Sequence, residues 1–204
     1  DAATGPSPDE REATEFFTTA ARNLQEAGAR AGATRMVVVS IIGIDKLSHG
    51  YNVAKLAHEQ TAFAGPVPAA VLRAAQFHEF VAQLMLWGTQ GDVSYVPNMR
   101  TQLVAARTVA GALADLATGS GFEAGAITEI AGPREESMVG AAERLVARRG
   151  ERRRIVGVTD PSDPDAELMA TGVLLPGPGA TLAGPTFDEW LHSDGFEDPL
   201  YTAS

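Results

Sequence analysis

The run Met36-Val37-Val38-Val39-Ser40-Ile41-Ile42 constrains the fold more than any other stretch. It is rich in β-branched residues and shows no polar alternation, so it reads as a strand covered on both faces, as in a parallel sheet. It is too short to cross a membrane. Gly43 to Gly50 follows as a loop with turn residues at both ends, and Tyr51-Asn52-Val53-Ala54-Lys55-Leu56-Ala57 opens a helix.

The flanking text supplies the layers such a strand needs. Ser7-Pro8-Asp9-Glu10 predicts a helix start, with Ser7 as N-cap, Pro8 at the first turn and Glu10 closing a capping box. Phe17, Ala20, Ala21, Leu24 and Ala27 recur at helical spacing, and Gly28 or Gly32 stops the helix before Met36. After the Tyr51 helix, Gly65-Pro66-Val67-Pro68 breaks the chain and Ala69 to Arg73 reads as another buried strand. Helix, strand, helix, strand is the doubly wound α/β pattern, with ligands expected outside the carboxyl ends of the strands.

Farther on, Gly88 to Asn98 reads as a polar loop placed to cover a pocket, and Thr108 to Ala117 as a helix. Ala126 to Ala131 alternates as a half-buried strand, Ser137 to Arg149 is a helix closed by Gly150, and Ile155 to Val158 is a last strand. Residues 160–185 form an extended covering segment with a helical patch at 166–170. Thr186 caps a small helix that docks through Phe187, Trp190 and Leu191.

With 204 residues, 45% of them hydrophobic, the chain can bury a core without disulfide or metal. It has no cysteine, which excludes thiol catalysis and thiolate zinc sites and fits cytoplasmic residence. A net charge of -10 opposes nucleic acid and anionic membranes as partners. Arg144, Arg148, Arg149, Arg152, Arg153 and Arg154 cluster, and read as a solvated helix face. The four histidines lack paired ligand spacing, so no metal site is expected. No segment reads as a membrane span or a signal peptide.

The chemistry sits on the Tyr51 helix. Residues four apart share a helix face, so the Tyr51 hydroxyl and the Lys55 ammonium can project toward one point. A cation beside a phenol favours the phenolate, which a tyrosine needs to act as acid or base near neutral pH. The chain holds only two lysines, so their meeting a tyrosine at this offset carries weight. Ser40 lies at the strand's end. The bland alternatives are a solvated lysine, a half-buried aromatic and a turn-forming serine, with Ser48 competing for the serine's role.

Strand, serine, loop and Tyr-x-x-x-Lys resemble the catalytic half of the short-chain dehydrogenase/reductase family, and the flanking text resembles its atypical, NmrA-like NAD(P)H-binding branch. The resemblance implies that Lys55 hydrogen-bonds the nicotinamide ribose, that Tyr51 passes a proton to or from the substrate oxygen, and that Ser40 polarises that oxygen. Leu72-Arg73-Ala74-Ala75-Gln76-Phe77 is similar to the loop beside the nicotinamide, without the proline often seen after the arginine. Gln76 and Phe77 are thereby cofactor-binding candidates, and His78 a pocket-lining one.

The family's strand followed by Gly-x-x-Gly-x-x-Gly or Gly-x-Gly-x-x-Gly does not occur in this sequence. The expected architecture is therefore a doubly wound, parallel-sheet Rossmann-like fold, N-terminally incomplete, with a small C-terminal substrate-side lobe. Residues 1–204 form one partial NAD(P)-binding domain, with 1–75 the catalytic half and 76–204 the remaining sheet elements and lobe. The text is expected to be the larger C-terminal part of its parent protein. The implied function is an oxidoreductase using NADP or NAD on a small carbonyl or enone compound. A non-catalytic NAD(P)-binding redox sensor is the alternative, and a serine hydrolase built on Ser40, Asp45 and His49 lacks a nucleophile elbow. Substrate identity, NAD against NADP and oligomeric state are not set by the sequence.

Overall fold

The two buried apolar runs pair side by side. In the computed structural model, which describes residues 1–193 and Phe196, β1 (Met36–Ile41) and β2 (Ala69–Ala74) are parallel, with Met36 opposite Ala69 and Ile41 opposite Ala74. Every residue of β2 is buried. α1 (Glu10–Arg30) leads into β1, and α2 (Tyr51–Ala64) joins β1 to β2. α1 buries Ala13, Phe17, Ala21 and Gln25, a stripe at four-residue spacing. Gln25 is polar yet wholly committed: its amide donates to the Ala62 and Val67 carbonyls and accepts the Val67 N–H at 2.7 Å, fastening the turn between α2 and β2.

The chain continues through α3 (Phe80–Trp87), β3 (Thr89–Gln90), β4 (Val93–Pro97), β5 (Arg100–Thr101) and α4 (Ala106–Thr118). Then come β6 (Ile127–Ala131), β7 (Glu136–Ser137), α5 (Met138–Arg149), β8 (Arg154–Val158), α6 (Ala166–Thr171), β9 (Thr181–Leu182) and α7 (Phe187–Leu191). These elements group into two units. Asp1–Ala74 with Val109–Glu129 make the first, and Ala75–Thr108 with the residues from Ile130 onward make the second.

In the first unit, Gly125 N–H donates to Ala69 O and Val71 N–H to Ala126 O, which lays the approach to β6 along β2. Arg35 reaches the C-terminal end of α4, donating to Gly119 O at 2.7 Å and lying over the Phe122 ring. In the second unit, Ile130 and Ala131 of β6 pair in parallel with Thr181 and Leu182 of β9. β4 runs antiparallel to β3 and parallel to β8. The core of this unit is Val81, Met85, Val96, Leu103, Met138, Leu145, Phe187 and Leu191, contributed largely by α3, α5 and α7.

Several local expectations change. α1 is capped by Asp9, whose carboxylate accepts the Glu12 N–H at 3.0 Å, and Ser7 only receives the Asp9 N–H. Glu10 closes no box with Ser7 because its carboxylate accepts the Gly50 N–H at 2.7 Å instead. Residues 88–98 are not a loop but the hairpin β3-β4, turning at Gly91-Asp92 with Gly91 at φ 63°. β6 does not alternate; Ile127 and Thr128 are exposed and Ile130 and Ala131 buried, since burial changes along the strand rather than across it. The arginines are not merely solvated. Arg144 pairs with Glu136 and Asp188, Arg148 donates to Leu191 O, and Arg153 donates to Glu151 and Thr89.

Candidate active site

Lys55 is the unusual residue of α2, because its ammonium is turned inward and only 5% of the residue is exposed. Its Nζ donates to Val39 O at 2.9 Å and to His58 Nδ1 at 3.0 Å, and it lies 4.6 Å from the centre of the Phe17 ring. An ammonium has three donors, so two are spent on hydrogen bonds and one side faces a π-cloud. Burial pushes the Lys55 ammonium down to about 8, with Glu59 opposing the shift.

His58 continues the chain of contacts. Its Nδ1 faces an ammonium and so accepts, which leaves the proton on Nε2, 2.8 Å from Asp1 Oδ2. The ring is fully buried and stacks on Phe17 with centroids 4.9 Å apart. Burial first, then the Lys55 charge, lower its pKa to about 4, so the imidazole is neutral at physiological pH. Asp1 itself lies along β1, donating to Val37 O at 2.5 Å and accepting from Val39 N–H at 3.1 Å.

Tyr51 opens α2 immediately after Gly50, which sits at φ 65° where a side chain is strained. The ring is half-buried and packs edge-on against Phe17 at 5.5 Å, and the hydroxyl meets Thr4 Oγ1 at 3.5 Å. The polar ends of Tyr51 and Lys55 thus go to different partners. Ser40 is buried on β1, and its hydroxyl has no hydrogen-bond partner among the described residues. Such an orphan is rare in a folded chain, where roughly nine in ten buried polar groups are paired.

Arg73, opposite Ser40 in the β1-β2 register, is buried and held by both carboxylate oxygens of Glu59, at 3.0 and 2.9 Å, and by Asp45 at 2.6 Å. These bonds raise its pKa, the Glu59 contact first. The Ser40, Asp45, His49 set is not assembled as a hydrolase: Asp45 belongs to Arg73, and His49 Nδ1 lies 3.9 Å from Glu10.

Gln76, Phe77 and His78 lie in the second unit. Gln76 is half-buried; its backbone carbonyl accepts the Val104 N–H and its amide oxygen accepts the Thr101 hydroxyl. Phe77 is half-buried and bridges Val104 in parallel. His78 is buried against the edges of Phe187 and Trp190, donating from Nε2 to Leu103 O. Reasoning from sequence missed His58; the available signal was its place three residues after Lys55, on the same helix face.

No protein-family model and no curated protein matches the sequence. Solved structures match the shape of the chain at high probability. The fold is Rossmann-like. An NADPH-dependent quinone oxidoreductase, QOR2 from Escherichia coli, aligns over 90% of this chain and 78% of its own, at 16% identity and a TM-score of 0.65. MoeE5 in complex with UDP-glucose and NAD aligns over 86% and 73%, at 17% identity and 0.62. The Bordetella bronchiseptica enzyme WbmG in complex with NAD aligns over 92% and 67%, at 17% and 0.62. At these identities the likeness is one of fold. Among the described residues, no helix is long and apolar enough to cross a membrane.

Proposed function

We propose that this protein is a cytoplasmic NAD(P)H-dependent oxidoreductase of the short-chain dehydrogenase type, acting on a small carbonyl or enone compound. The observation that carries the reading is the inward-turned Lys55 ammonium one helical turn from a half-buried tyrosine, in a fold whose solved neighbours hold NAD or NADPH. Residues 1–75 are assigned to the catalytic half of the nucleotide fold, and 76–204 to the remaining sheet elements and the substrate-side lobe.

The residues present fit the ribose and substrate end of a dinucleotide. Among the described residues, the buried Ser40 hydroxyl lacks a partner, the Tyr51 hydroxyl makes a 3.5 Å contact to Thr4, and Lys55 has one N–H that faces the Phe17 ring and is not spent on a hydrogen bond. Bound NADPH or NADH would supply the hydride, leaving as NADP or NAD. Tyr51 holds and passes the proton of the substrate oxygen, Ser40 donates a hydrogen bond to that oxygen, and Lys55 gives its remaining N–H to the ribose. Gln76 and Phe77 stay cofactor candidates on the strength of the sequence resemblance.

A second reading, a redox sensor that holds NAD(P) without turnover, is favoured by one observation. The Tyr51 hydroxyl goes to Thr4 while two Lys55 donors go to Val39 and His58, so no hydrogen bond joins the pair among the described residues. Calorimetry with NADPH tests what both readings share: Lys55→Met weakens binding by about 1–3 kcal/mol, the scale of a hydrogen bond to a charged group. Unchanged affinity in a variant with native circular dichroism would return Lys55 to a purely structural role.

A further inference from the structure

Lys55, His58 and Asp1 form a buried chain of hydrogen bonds that neither reading uses. Each side chain is almost wholly removed from solvent, and the links are 3.0 Å from Nζ to Nδ1 and 2.8 Å from Nε2 to Oδ2. The imidazole cannot serve this chain in its other tautomer. With the proton on Nδ1, an N–H would face the Lys55 ammonium and a bare lone pair would face the Asp1 carboxylate, two repulsive contacts in place of two bonds. The Asp1 carboxylate therefore selects the imidazole form that accepts from Lys55.

A buried ammonium is retained only where acceptors replace its water. For Lys55 those acceptors are Val39 O from β1, His58 Nδ1 from its own helix, and the face of Phe17 from α1. The charged groups around it are Glu59 on the next turn, itself held by Arg73 of β2, and the Asp1 carboxylate against His58 Nε2. Among the described residues, His58 is the uncharged side chain in this set that accepts a hydrogen bond from the ammonium.

We propose that His58, its tautomer fixed by Asp1, is a positioning residue that holds the Lys55 ammonium in place and in its charged form. The proposal rests on the reading in which Lys55 is the site lysine, and it assigns the lysine's charge to a partner outside the Ser-Tyr-Lys set. Removing that acceptor disfavours the charged form, so the ionisation of Lys55 falls to lower pH. Restoring an acceptor of another kind at the same place brings it back.

The chain has two lysines, Lys46 and Lys55, so on a Lys46→Arg background 15N-lysine labelling reports Lys55 alone. Its titration midpoint is measured by NMR in the intact protein carrying His58, His58→Leu, His58→Asn or Asp1→Asn. The expected result is a downward shift of about one pH unit, tenfold in the ionisation constant, for His58→Leu. Asp1→Asn, which releases the tautomer, shifts it the same way. His58→Asn, whose amide oxygen can accept from Nζ, stays near the parent value. A midpoint that is unchanged in folded His58→Leu, or as displaced in His58→Asn as in His58→Leu, overturns the proposal. If His58→Leu does not fold, Asp1→Asn decides, and an unchanged midpoint there overturns it too. Because the readout is the lysine itself, a protein that reduces no carbonyl compound would sink the oxidoreductase reading while leaving this result standing.

Discussion

His78 makes the stability of this protein depend on pH in a way that can be worked from its surroundings. The ring is buried against Phe187 and Trp190, Nε2 donates to Leu103 O at 3.1 Å, and Nδ1 has no partner among the described residues. Burial lowers its pKa from 6.5 to about 4, against smaller opposing effects of the Leu103 carbonyl and Glu136. Below pH 6.5 the unfolded chain therefore takes up a proton that the folded chain refuses. Stability is full above that pH, is lost as pH falls from 6.5 to 4, and levels off below. The loss from this group is about 3 kcal/mol, because each pH unit separating the folded and unfolded ionisations is worth about 1.4 kcal/mol. His78→Gln keeps an N–H for the Leu103 carbonyl and removes the titration. Urea unfolding at pH 7, 6, 5 and 4 should give a shallower acid decline in the variant, the two curves converging by about that amount. His58, lowered to about 4 in the same way, stays in both proteins and cancels from the difference. Parallel curves for wild type and variant would refute the reasoning.

Two further substitutions probe the scaffold around the site. Among the described residues, Glu59→Gln leaves the buried Arg73 guanidinium with the exposed Asp45 as counter-ion, and should cost about 3–5 kcal/mol in urea unfolding, the scale for breaking a buried pair. Gly132→Ala would place a methyl 1.8 Å from the Leu103 carbonyl oxygen, the acceptor for His78, so the backbone must move and the thermal midpoint should drop by many degrees.

The elements nearest the site were legible because they are local. β1 and β2 announce themselves as apolar runs without alternation, and Tyr51 with Lys55 as a four-residue helical pair. The β3-β4 hairpin was hidden by composition: Gly88 to Asn98 reads as polar, although Gly91-Asp92 between Gln90 and Val93 is a two-residue turn signal. The start of α1 was ambiguous because Ser7 and Asp9 can both cap, and the choice is made by Gly50, forty residues from Glu10, which takes the glutamate away. Arg73 reads as a loop marker in sequence, yet its role follows from Glu59 and Asp45, on two other segments. His58 reads in sequence only as a histidine without metal-ligand spacing, since its partners are a lysine one turn earlier and an aspartate 57 residues away. The orphaned Ser40 hydroxyl has no signature in sequence, since it is defined by what fails to surround it.

The most direct measurement is the oxidation of NADPH and NADH over a broad panel of carbonyl and enone compounds, by the intact protein and by Tyr51→Phe, with dinucleotide affinity followed alongside. Tyr51→Phe should leave affinity nearly unchanged, because the ring still packs on Phe17 and the lysine is untouched, while turnover falls by about a hundredfold or more, the contribution of a positioned acid or base. A wild-type protein that binds the dinucleotide tightly yet oxidises none with any compound, or a Tyr51→Phe variant that turns over as fast as wild type, would contradict the oxidoreductase assignment.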